Sequence, residues 1–266
     1  MMKFVVNLMI VASALTLMSA NLLAEESNET IAPTRAGTPL TQEEIDATIG
    51  RYGEVEEIPE DFKFNDAEIK LWLTDHLENI EEPISLYYEF VKSGTYEEGF
   101  SDSVYLKILE LNEDGSKNAK LDFFTAEKKQ AVNTDNVTHI TGNPVLGIFM
   151  QGDVYEMNRL AGGHWRYFHK QIKVSLRENA VIEPTTFSFN GKEYQGEKLF
   201  FSPYLKDPHR RDFEKFAKKY YEFIFSDDIP GELYKITTII PDTNTESAEP
   251  LILETLTLMD VKINES

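Results

Sequence analysis

The sequence predicts an α+β fold. It is a curved antiparallel sheet of about 8–9 strands, a meander of hairpins, with an N-terminal helix and an inserted helical hairpin covering one face. Three observations predict it. From residue 84 onward, alternating segments rich in aromatic and β-branched residues follow one another across turn signals. Between residues 143 and 176 the apolar period changes from two to nearly four. Several strands carry large apolar groups on both faces, so both faces need cover.

The chain begins MMKFVVNLMIVASALTLMSANLLAEE. Lys3 supplies a positive start, and an apolar run over 4–17 is interrupted only by Asn7, Ser13 and Thr16. Ala20 and Ala24 are small residues at cleavage distance. This is the layout of a secretory signal, so 1–24 is read as a cleaved leader and the chain as periplasmic or secreted. The run is shorter than the ~20 residues that span a bilayer. Residues 25–65 are acidic and rich in Thr, Pro and Glu, and are expected to be disordered. A short helix around 40–50, capped by Thr41, is the one expected exception. Residues 66–266 are expected to form a single domain.

Within that domain, Ile69, Leu73, His76, Leu77 and Ile80 recur at helical spacing, which predicts a helix over 66–82, ended by Pro83. ISLYYEFVK, VYLKILELN and KNAKLDFFT follow as strands, the last two flanking Glu113-Asp114-Gly115-Ser116. Asn143-Pro144 opens a helix whose stripe is Leu146, Phe149, Met150, Met157 and Leu160, and Gly162-Gly163 closes it. Trp165, Phe168, Ile172 and Leu176 then mark a second helix. PTTFSF and KEYQGEKLFF flank Asn190-Gly191, a pair suited to a tight primed turn. HRRDFEKFAKK reads as a short amphipathic helix, and KYYEFIF, ELYKITTIIP and LILETLTLMDVKI supply the last strands.

Composition removes several chemistries. There is no cysteine, hence no disulfide, thiol nucleophile, thiolate zinc site or iron–sulfur cluster. A formal net charge of −20 argues against nucleic acid and anionic lipid surfaces as partners. No GxSxG elbow, phosphate-binding loop or GxGxxG is present, and no catalytic residue, metal ligand or cofactor is assigned. His164 and His169 are five apart, about 500° of helical rotation, so their rings diverge. Arg166, Lys170, Lys173 and Arg177 form a basic stripe beside the apolar one. It reads as a solvated face, or as a surface for an acidic partner or an anionic head group.

The order of these features resembles the periplasmic lipoprotein-carrier superfamily of LolA-like and RseB-like proteins. The residues that carry the resemblance are DAEIKLWLTDHLENIEE leading into ISLYYEFVKSG, and the insertion NPVLGIFMQGDVYEMNRLAGGHWRYFHKQIKVSLREN. GNPVLGIFMQGDVYEMNRLAGG and SDDIPGELYKI also look like segments of uncharacterised bacterial secreted proteins. The carrier resemblance implies a lid of helices over a curved sheet. The function expected is a non-enzymatic binding or carrier protein for an apolar or amphiphilic ligand, such as a lipid or a lipoprotein acyl chain. Phe149, Met150, Trp165 and Phe168 from the helices and Tyr88, Phe90, Phe223 and Phe225 from the strands are the expected lining, with Arg166 or Lys170 for a head group. The alternative is a cell-envelope interaction or assembly protein with a filled core and an envelope protein partner.

Overall fold

The computed structural model describes residues 63–125, 133–242 and 249–264. The expected leader, and all but the end of the acidic segment, lie outside the described residues.

Nine strands form one antiparallel sheet: β1 (Ile84–Ser93), β2 (Phe100–Leu111), β3 (Lys117–Phe123), β4 (Asn133–Ile140), β5 (Val181–Phe189), β6 (Lys192–Phe201), β7 (Tyr220–Phe225), β8 (Leu233–Ile240) and β9 (Ile252–Ile263). Their spatial order is β4-β3-β2-β1-β9-β8-β7-β6-β5. The sheet is therefore two meanders, β1–β4 and β5–β9, zipped together where the last strand pairs with the first. β4 and β5 are the two outermost strands, so the chain between them must cross the whole sheet. Helices α2 (Pro144–Ala161) and α3 (Trp165–Asn179) make that crossing, and this is why the insertion covers a face instead of hanging from an edge.

Local chemistry sets the ends of these helices. The Asn143 side chain accepts from Val145 N at 3.1 Å, with Pro144 in the first turn, where its missing N–H costs nothing. α2 ends on Gly162 at φ 70°, the left-handed conformation that glycine adopts without a Cβ penalty. His164, not singled out as a cap by the sequence pattern, caps α3 by accepting from Arg166 N at 3.2 Å.

The N-terminal helix is much shorter than the expected 66–82. α1 covers only Asp66–Glu68, held by a capping box in which Asn65 and Glu68 each accept from the other's backbone. It loosens into a π-helical turn over Ile69–Leu73, and Thr74 is extended. Tertiary bonds end it. The Lys70 carbonyl, which an α-helix would use for Thr74 N, accepts instead from the His76 ring at 2.8 Å. Leu77 N donates to Thr141 O at 3.0 Å. Leu77 and Ile80 are still buried, so their spacing reports burial correctly and helix length incorrectly.

β4 was not legible as a strand. NTDNVTHI is polar, and its register against β3 shifts twice, as suits an edge. HRRDFEKFAKK forms a 3-10 helix over Arg210–Phe216 that buries Phe213 and Phe216.

The two faces differ. The helix-covered inner face buries Leu86, Tyr88, Phe90, Leu256, Leu258, Ile236, Phe223, Phe225 and Leu199. On the outer face the tip of the β5–β6 hairpin covers part of the sheet. Phe187 stacks on Tyr234 at 4.0 Å between ring centroids, and Tyr234 Oη donates to Ser188 O at 3.0 Å.

Candidate functional site

The inner face is the site that the sequence nominated. Seven of the nominated residues, Phe149, Met150, Phe168, Tyr88, Phe90, Phe223 and Phe225, are at most 5% exposed. The rings of Phe90 and Phe149 lie 6.4 Å apart across the helix–sheet boundary, and Phe90 also meets Phe124 at 4.8 Å. Phe168 packs edge-on against Tyr204 and Phe213 at 5.7 and 5.8 Å. Phe201, Tyr221, Phe223 and Phe225 form a stacked ladder with centroid steps of 5.0, 6.1 and 6.3 Å between Phe201 and Tyr221, Phe201 and Phe223, and Phe223 and Phe225. The remaining three nominees sit further out. Trp165 is half-buried at the start of α3, the Arg166 guanidinium lies 4.8 Å over its ring, and Lys170 is exposed.

One buried residue ties the cover to the sheet. Asn143 is 4% exposed. Besides capping α2, its amide donates to Tyr88 Oη at 3.2 Å and to Gly231 O at 3.0 Å, and its backbone N–H donates to His76 Nδ1 at 3.3 Å. The His76 ring stacks on Phe225 at 5.5 Å. Burial lowers its pKa from 6.5 to about 4, so it is neutral, with Nε2–H donating to the Lys70 carbonyl.

A polar row crosses the inner face. Lys92 pairs in register with Glu254, Glu254 with Thr238, and Thr238 with Tyr221. α2 reaches down to this row at two points three residues apart, a spacing that puts both side chains on one face of the helix. Asp153 accepts from Lys219 Nζ, and from Tyr221 Oη at 2.5 Å. Glu156 meets Lys92 Nζ at 2.6 Å, while Glu97 and Glu254 lie 2.6 and 3.3 Å from the same ammonium. Burial works against the charge on Lys92, but the three carboxylates outweigh it and hold its pKa above the usual value. Burial likewise opposes charge on Glu156, yet hydrogen bonds from Arg159 and Lys92 bring its pKa down to about 2. Burial and the Asp153 charge push the Tyr221 and Tyr204 phenols well up, so both stay protonated.

These cations were missed in favour of Arg166 and Lys170, although a signal was there. Lys92 shares strand parity with Leu86, Tyr88 and Phe90. Lys219 shares it with Tyr221, Phe223 and Phe225, and Glu254 with Leu256 and Leu258. A charged residue in phase with the buried face is an inner-face residue.

The outer face holds a groove of about 610 Å³, which the sequence did not indicate. Ser85, Tyr87, Tyr105, Asn190, Met259, Asp260 and Lys262 line it. Among the described residues no group of three or more His, Asp or Glu side chains is placed to hold a metal ion, and no helix is long and apolar enough to cross a membrane.

No family model matches the chain, and no curated protein matches it. Among solved structures it is similar to the lipoprotein LppX of Mycobacterium tuberculosis, at 11% identity and a TM-score of 0.30, covering 75% of this chain and 96% of that one. It is similar to LprF of Mycobacterium bovis at 11% identity and a TM-score of 0.27, covering 75% and 94%. A LolA-superfamily protein of Nitrosomonas europaea matches at 10% identity and a TM-score of 0.21, again over 75% and 94%.

Proposed function

We propose that this chain is an exported, non-enzymatic binding or carrier protein for an apolar or amphiphilic ligand, such as a lipid or a lipoprotein acyl chain. The ligand is taken up between the α2–α3 hairpin and the inner face. The observation that carries this reading is the pairing of an aromatic inner face with a cover made of one contiguous insertion. Among the described residues no strand is threaded through that cover, so it can lift without breaking a strand ladder. In this closed form Phe149, Met150 and Phe168 fill the space beneath the cover. A ligand enters by taking their place, its acyl part against Phe90, Phe223 and Phe225. The polar row of Lys92, Glu254 and Thr238 gives the interior one end that tolerates a hydrated head group.

Lipid extraction of protein purified from its native host, followed by mass spectrometry, tests the proposal. A reproducible lipid at near-stoichiometric yield is expected, as is uptake of a fluorescent fatty acid by delipidated protein. Protein that carries no lipid above a solvent blank and takes up no probe would refute it.

One observation favours a second reading, an envelope interaction protein with a filled core. The seven buried nominees already occupy the interior, while Lys170 and Lys173 are exposed on α3. Charge reversal at Lys170 and Lys173 then abolishes co-purification of an acidic partner and leaves folding intact. Absence of any partner in pull-downs sinks that alternative.

A further inference from the structure

The outward surface of the α2–α3 cover differs in charge from the rest of the chain. Over the whole sequence acids outnumber Lys and Arg by 46 to 26. The two helices together carry three acids. Asp153 and Glu156 are turned inward, onto Lys219, Tyr221 and Lys92. Glu178, in the last turn of α3, is the exposed one. The cations are placed differently. Arg159 is paired with Glu97 and Glu156, and Arg177 with Glu68. Arg166, Lys170 and Lys173 share the side of α3 turned away from buried Phe168, Ile172 and Leu176. Among the described residues none of these three forms an ion pair. Burial lowers the pKa of Lys173, and no carboxylate is there to raise it. An amphipathic aromatic cluster lies beside them. Tyr155 of α2 is 42% exposed and meets Trp165 at 6.0 Å. Arg166 lies over the Trp165 ring, and His164 and His169 flank it at 5.9 and 6.4 Å. Burial and the neighbouring cations lower both histidine pKa values, that of His169 to about 4, so these rings are neutral near pH 7. The rings pack on one another and on Arg166, so the cluster is a surface patch, not a pocket.

Unneutralised cations beside Trp and Tyr suit the boundary between water and lipid. Trp and Tyr rest at head-group depth with their polar tips wet, while Lys and Arg reach the lipid phosphates. We infer that the outward face of the α2–α3 cover docks on an anionic phospholipid bilayer. Arg166, Lys170 and Lys173 meet the head-group phosphates, and Trp165 and Tyr155 sit among them. The chain's charge of −20 opposes such a surface as a whole, and so it sets the orientation. Charges are screened over ~8 Å at physiological salt, so the bilayer responds to the face laid against it. Glu178 lies five residues beyond Lys173, roughly 140° round the helix, and is turned off that face. An acidic protein fits less well. Two of the three cations are lysines, point charges without the fixed fork of Arg. Tyr155 and Val174, the exposed apolar residues of the two helices, are single residues and not the contiguous apolar centre of a protein interface. The inference concerns the outside of the cover and does not rest on what lies beneath it.

The test is sedimentation of the protein, purified from its native host, with vesicles of phosphatidylglycerol and phosphatidylcholine in equal parts, against vesicles of phosphatidylcholine alone. Binding to the anionic vesicles that weakens as salt rises is expected, with a blue shift of Trp165 fluorescence in a Trp72→Phe background. Lys170→Gln together with Lys173→Gln weakens binding about twentyfold, the loss of two head-group contacts. Both side chains are exposed, so circular dichroism stays unchanged. Lys192→Gln together with Lys262→Gln removes the same charge from the outer side of the sheet and leaves binding unaltered. Binding no stronger to anionic than to zwitterionic vesicles would overturn the inference. So would a Lys170/Lys173 variant that binds like the parent, or an equal loss in the two double variants. An acidic protein that co-purifies through Lys170 and Lys173, with no vesicle binding, assigns the face to that protein and overturns it too. Vesicle binding by protein that takes up no fatty acid upholds this inference while refuting the carrier reading.

Discussion

Replacing Lys219 by Met tests how α2 is fastened to the sheet. The Lys219 and Asp153 side chains are 1% and 2% exposed, so the pair has almost no contact with water. Removing the ammonium leaves the carboxylate buried, with the Tyr221 hydroxyl at 2.5 Å as its remaining donor. Breaking one side of such a pair costs about 3–5 kcal/mol. A domain of this size has roughly 5–15 kcal/mol in total, so the loss is a large fraction of the whole. Adding Asp153→Leu removes the stranded charge and takes from the Tyr221 hydroxyl its carboxylate acceptor, a penalty of about 1–3 kcal/mol. Adding Tyr221→Phe as well should bring stability to within about 1 kcal/mol of the starting protein. Urea unfolding followed by Trp72 and Trp165 fluorescence reads this directly. With a slope of about 2 kcal/mol per molar, the single variant moves the midpoint down by about 2 M. A shift under about 0.5 M, or a double variant weaker than the single, would refute the claim that a buried ion pair fastens α2.

Three further outcomes follow from the same contacts. Asn143→Ala removes a helix cap and strands the Tyr88 hydroxyl and the Gly231 carbonyl, so a loss of about 2–4 kcal/mol is expected in the same urea assay. Phe168→Ala empties a fully buried site bounded by Tyr204 and Phe213, and should cost about 3–5 kcal/mol, while Lys170→Ala on the exposed side of the same helix changes stability little. pH acts through two opposed groups. His76 has a folded pKa of about 4 against 6.5, so the unfolded chain takes its proton first, and the contribution present above pH 6.5 is lost as pH falls toward 4. Burial raises Glu232 from 4.5 to about 7 despite the nearby Lys70, so the contribution it makes below pH 4.5 is lost as pH rises through 7. Glu232→Gln should therefore gain stability over the parent between pH 5 and 8, by up to about 3 kcal/mol, and calorimetry at both pH values checks it. An equal difference at the two pH values would exclude the Glu232 assignment.

How much was legible depended on whether a signal was local. Eight strands, both long helices, the Gly162 stop and the Asn190-Gly191 turn follow from alternation, capping and turn chemistry within a few residues. The length of α1 did not, because His76 and Thr141 take the hydrogen bonds that would have extended it, and Thr141 is more than sixty residues away. β4 was hidden because an edge strand can be polar throughout. At the inner face, the apolar nominees from the strands and the middle of the helices fell where the pattern put them. The cations did not, because amphipathicity draws attention to charged stripes and away from charges in phase with a core.

From the sequence by itself come the class of fold, the identity of the two helices as one cover, and the exclusion of thiol and thiolate chemistry, since these depend on periodicity and composition. Only the tertiary structure decided that β9 closes the sheet between β1 and β8, that Lys92, Glu254, Thr238 and Tyr221 form a row, and that Tyr87, Tyr105 and Asn190 share a groove. The reason is strand pairing. A strand's pattern states which side chains face inward, but it does not state which other strand lies beside it, and every one of those juxtapositions is a choice of neighbour.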